Sequence, residues 1–104
     1  MGPHKGTVKQ VENFKIEKLH SHELFYAFLL DNNSKPISNK GITAEARFYF
    51  PDESTADIPL KPFGEDGFTA GMYTSIYYSC RITFHLQGKS ISALFENENA
   101  IVDK

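Results

Sequence analysis

Tryptophan is absent from these 104 residues, and sulfur is scarce: there is one cysteine and there are two methionines, one of them the initiator. A single cysteine cannot close an internal disulfide, so the core alone must hold the domain, and at this length a chain buries about two-thirds of its unfolded surface. No cofactor is required for folding. The shortage of sulfur also argues against a methionine-rich cuprous or silver site, because Met72 falls on the inward side of its strand and reads as core filler. No apolar run is long enough to span a bilayer, and Met1-Gly2-Pro3-His4 reads as neither a signal nor a transit peptide. Charge of one sign is lacking too. Eleven basic and 13 acidic side chains are interspersed for a formal net charge of −2, which gives no positive field for a polyanion and excludes nucleic acid as the expected partner. Neither a glycine-rich phosphate loop nor a helix carrying paired histidines is found, and no catalytic set emerges.

Aromatic residues are abundant, with nine Phe and five Tyr, and these suit a pleated, half-buried surface. The chain is organised around Leu24 to Leu30, seven apolar residues in a row that read as a strand covered on both faces, closed by a turn over Asp31 to Pro36. Before it come a short strand over Gly6 to Val11, a second in which Phe14 and Ile16 point inward against Lys15 and Glu17, and a polar hairpin loop, His20-Ser21-His22-Glu23. After it an exposed loop, pinned by Ile37, leads into Thr43 to Phe50, where Ala44, Ala46, Phe48 and Phe50 alternate with polar neighbours. Thr55 to Leu60 alternates likewise, and Pro59 marks it as an edge strand. Pro62 to Gly67 is a turn cluster, Phe68, Ala70 and Met72 face inward, and Tyr73 to Tyr78 has no readable register. Cys80, Ile82, Phe84 and Leu86 then alternate with Arg81, Thr83 and His85, and a hairpin over Gln87 to Ser90 leads to Ile91, Ala93 and Phe95. These residues predict an all-β domain, an immunoglobulin-like Greek-key β-sandwich of about seven strands, with a small closed barrel as the alternative. Residues 1–5 form a flexible leader, 6–97 the sandwich domain and 98–104 a polar tail.

Among chemically capable residues, Cys80 lies on an inward face and reads as an unreactive apolar side chain. Glu65-Asp66 reads as a solvated turn. The histidines have the only claim to metal. His20 and His22, one residue apart, would share one side of an extended chain and could chelate Cu(II), Ni(II) or Zn(II) with Glu23 nearby, whereas exposed loop histidines are the plainer reading. His4 could complete such a site from the leader, and His85 reads as a surface residue. Tyr73, Tyr77 and Tyr78 would mark a protein contact if exposed, and core if buried.

In order, His4-Lys5-Gly6, Asn13-Phe14-Lys15-Ile16-Glu17, Phe28-Leu29-Leu30-Asp31, Lys35-Pro36-Ile37, Lys40-Gly41, Leu60-Lys61-Pro62, Phe68-Thr69-Ala70, Gln87-Gly88-Lys89-Ser90 and Ala93-Leu94-Phe95 resemble the landmarks of a family of small exported bacterial β-sandwich domains. That family has a His-Gly-Gly leader, and here Lys5 stands in place of the first Gly and Ser34 in place of the glycine of the central turn, whose left-handed conformation Asn32 or Asn33 can take. The resemblance implies a periplasmic or lipid-anchored location and an association with copper or silver efflux systems, with a protein partner in a membrane efflux assembly. It carries ligand candidacy onto His4 and Glu17. The candidate metal residues are thus His4, Glu17, His20 and His22, and the ion copper or another transition metal. A non-enzymatic exported binding or accessory module is expected, the alternative being a structural or protein-interaction sandwich with no metal role.

Overall fold

A computed structural model of the chain describes residues 4, 6–21, 24–71 and 77–97. Among them are eight strands and no helix: β1 (Thr7–Val11), β2 (Phe14–Ser21), β3 (Leu24–Asp31), β4 (Thr43–Tyr49), β5 (Thr55–Phe63), β6 (Gly67–Gly71), β7 (Ser79–Leu86) and β8 (Lys89–Glu96). All pairings are antiparallel and run in the order β1-β2-β3-β6-β5-β4-β7-β8, one nearly closed sheet. Side chains close the remaining gap. The Lys9 ammonium sits 5.6 Å from the Phe95 ring centroid, and Lys89 Nζ lies 2.6 Å from Glu12 Oε1, so β1 and β8 face one another across a seam.

The strict alternation read in β4 and β7 has the expected result. Ala44, Ala46 and Phe48 are buried together with Cys80, Ile82 and Phe84, while Thr43, Glu45, Arg47 and Arg81 face solvent. Across the interior these meet Ile16, Phe25, Ala27, Leu29 and Phe68, and edge-to-face pairs such as Phe25–Phe48 and Phe68–Phe84 lock the two sides together. Phe25, Ala27 and Leu29 of β3 point into the core, but its outer face is covered only in the second half, where Phe28 and Leu30 are buried, whereas Leu24 is exposed and Tyr26 half-buried.

β5 joins the two halves of the sheet. Its first part, up to Leu60, pairs with β4, and Lys61, Pro62 and Phe63 pair with β6. Each proline therefore lies where the strand has one neighbour, a position that tolerates its missing N–H, although β5 as a whole runs between β4 and β6 and is not the edge strand expected from Pro59. Pro62 and Phe63 thus belong to the strand and not to the turn expected there, which shrinks to Gly64-Glu65-Asp66.

Two further local readings are corrected. His20 is not in a hairpin loop: β2 continues through Ser21, pairing His20 with Phe25 and Ser21 with Leu24, because strand pairing and contact with Tyr77 override the polar composition. His22 and Glu23, and likewise Met72 and Tyr73, lie outside the described residues. In the turn after β3, Ser34 itself has a left-handed backbone, with φ 66°, where Asn32 or Asn33 was expected to. Asp31 fixes this conformation by accepting the Asn33 and Lys35 amides on Oδ1 while its own N–H donates to the Lys35 carbonyl. The loop then lies along the second half of β3, with the Ile37 N–H donating to the Leu29 carbonyl at 2.9 Å.

Candidate functional site: a histidine held on a buried carboxylate

Alternation along β2 places Glu17 on the outer face, opposite Ile16, yet its side chain is wholly excluded from solvent. His4 and Gly6 lie above it. Glu17 Oε2 accepts the main-chain N–H groups of His4 at 3.0 Å and Gly6 at 2.7 Å, and Oε1 lies 2.9 Å from His4 Nδ1. Three hydrogen-bonding contacts on one carboxylate satisfy the charge that burial would otherwise penalise. Where sequence suggests a leader free to move, His4 is therefore tied to the sheet.

The floor beneath the imidazole is Phe28, the cross-strand partner of Glu17. The two rings are stacked, with centroids 3.6 Å apart and planes 6° from parallel. Glycine makes room for this arrangement at two points. A Cβ on Gly6 would overlap the Lys18 carbonyl, and one on Gly67 would come within 2.7 Å of the Phe28 ring.

The third member arrives from the β5–β6 turn. Asp66 Oδ2 lies 3.7 Å from His4 Nε2, too far for a hydrogen bond but within reach of a shared cation or water. Asn39 sets the position of this turn, donating from its amide side chain to the carbonyls of Gly64 and Gly67 and from its own N–H to the Glu65 carbonyl. An open polar cleft bordered by Ser38, Lys40, Glu65 and Asp66 lies beside it. Nothing in the sequence links Asp66 to His4: one is in a turn of ordinary composition, the other in the leader, and only the closing of the sheet through β3, β6 and β5 brings them together.

His20 is on the other face of β2. It points inward, with Nδ1 3.1 Å from the Tyr77 hydroxyl, its ring against Tyr77 and Phe25, and Nε2 buried with no hydrogen-bond partner. Burial, aided by the positive charge of Lys18, holds its pKa below the ordinary imidazole value. His4 and Glu17 thus meet on the outer face, and His20 cannot join them because a sheet separates the groups. His85 faces outward as read, 2.8 Å from Ser90 Oγ and 3.5 Å from Glu45 Oε1. Tyr77 is fully buried and Tyr78 about half exposed. Cys80 is buried, and desolvation pushes its thiol up to about 11.

Glu17 is poorly suited to touch a metal ion, since both its oxygens are engaged and none of its surface is exposed. His4 Nε2 and Asp66 fit one better: an imidazole nitrogen and a carboxylate oxygen, both partly exposed, suit a borderline divalent cation whose remaining positions water can fill. No group of three or more His, Cys, Asp or Glu side chains able to hold a metal occurs among the described residues. Likewise, no helix there is long and apolar enough to cross a membrane. Set against models of protein families, curated proteins and solved structures, the chain matches none of them.

Proposed function

We propose that the protein is a non-enzymatic, exported binding or accessory module that takes a borderline divalent ion, Cu(II) or Zn(II), at His4 Nε2 and the Asp66 carboxylate. One observation carries this reading: an imidazole held by a buried carboxylate through Nδ1, with its other nitrogen turned toward a second carboxylate. Ligating histidines commonly have this support, a hydrogen bond to a carboxylate from the nitrogen that does not bind the metal. When bound, the ion would supply a fixed positive charge between His4 and the β5–β6 turn. His4 and Asp66 would hold it, and Glu17, Phe28 and Gly6 would hold His4. The periplasmic or lipid-anchored location and the partner in an efflux assembly rest on the resemblance of the ordered landmarks. An immunoglobulin-like Greek-key sandwich is our reading of the architecture, supported by the return of β6 to lie beside β3 in the order β3-β6-β5-β4.

A protein-interaction domain without metal is the second reading. It is favoured by Leu24 and Phe63, 46% and 50% exposed, on the same outer face as Tyr26, whose ring lies 5.2 Å from that of Phe63.

Titration with Zn(II), Ni(II) and Cu(II) followed by NMR separates the two. Metal binding should move or broaden the His4 and Asp66 signals first and leave His20 and His85 in place. His4 signals unmoved at millimolar metal would reject the metal reading.

A further inference from the structure

We infer that Glu17 is a positioning residue that fixes the His4 ring as its Nδ1–H tautomer, leaving the Nε2 lone pair as the outward-facing acceptor. A carboxylate only accepts hydrogen bonds, and the two main-chain N–H groups on Oε2 already orient it. At 2.9 Å from Nδ1, Oε1 therefore requires the ring proton on that nitrogen. A ring turned by 180° about Cβ–Cγ would stay stacked on Phe28 but set a carbon in place of Nδ1 against Oε1, so the contact with Glu17 selects this orientation of the ring. Nε2 is then the unprotonated nitrogen of the neutral ring and faces Asp66. Two carboxylates consequently do different work: Glu17, buried, sets the tautomer, and Asp66, partly exposed, shares the site. The use of Nε2 by a metal rests on the function proposed above; the tautomer does not.

Glu17→Gln tests this at nearly constant shape. Its carbonyl oxygen can take over the two main-chain N–H groups, but its NH2 then donates to Nδ1 and drives the ring proton to Nε2. In two-bond ¹⁵N–¹H spectra recorded above the imidazole titration range, wild-type His4 should show protonated Nδ1 and unprotonated Nε2, and E17Q the reverse. Zn(II) affinity should fall by about 10- to 100-fold in E17Q, the usual effect of losing such a carboxylate support. The wild-type spectrum needs no variant, so a poorly folded E17Q would not leave the matter open. A proton on Nε2 in the wild type, or the same tautomer in both proteins, overturns the inference. Failure of wild-type protein to bind Zn(II) while His4 shows the Nδ1–H tautomer would end the metal reading and uphold the role of Glu17.

Discussion

Replacing Gly6 by alanine should detach the leader from the sheet without altering any group that hydrogen-bonds in the site. A methyl group here has no space: its carbon would overlap the Lys18 carbonyl oxygen, with the carbonyl carbon at 2.9 Å and Glu17 Cγ at 3.1 Å. The oxygen and carbon are backbone atoms of paired strand β2 and cannot swing aside, so the leader must withdraw by on the order of 1 Å. That displacement breaks the 2.7 Å bond from the Gly6 N–H to Glu17 and loosens both bonds from His4. A hydrogen bond to a charged group contributes about 1.5–3 kcal/mol. Ring stacking adds about 0.5–1.5 kcal/mol. Against these losses stand water readmitted to Glu17, freedom regained by the leader at about 1–2 kcal/mol per residue, and the lower unfolded-state entropy of alanine, about 0.4–1 kcal/mol. The net cost should be about 1–2 kcal/mol, which for a domain of this size lowers Tm by roughly 4–15 °C. Urea unfolding should show a lower midpoint at unchanged slope. In NMR spectra the His4 ring protons, shielded by Phe28 in the wild type, should move to the positions of a free imidazole. An unchanged midpoint together with retained shielding would refute the claim that the leader is clamped through Gly6.

Two further outcomes follow from the interior. The pKa of His20 is lower in the folded protein than in the unfolded chain, so the unfolded state binds the proton more readily and stability should fall as pH drops below the ordinary imidazole value near 6.5. Urea midpoints at pH 7.5 and 5 should show this loss in the wild type and a smaller one in His20→Gln; equal slopes in the two proteins would exclude His20 as its source. Cys80, with its thiol pushed up to about 11 in a closed core, should resist a thiol reagent in native buffer at pH 8 and react fully in denaturant. Rapid native labelling would mean that the β7 side of the core opens far more often than its packing implies.

The sequence by itself determined the β class and most of the inner face. Alternation in β4 and β7, and the uninterrupted apolar run of β3, are local signals, and the side of each strand that is buried follows from period two alone. The same pattern put His85 on the surface and Cys80 in the core. It also assigned Glu17 to an outer face, which is correct, yet its complete burial was not legible, because the cover comes from a leader whose own composition is polar. Tertiary structure decided that burial, the inward turn of His20, and the meeting of His4 with Asp66. Each depends on which strands become neighbours, and pairing between segments far apart in the chain leaves no periodicity in either one. The sheet order through β3, β6 and β5 brings the leader and the β5–β6 turn to one ring nitrogen, and the same sheet separates His20 from it.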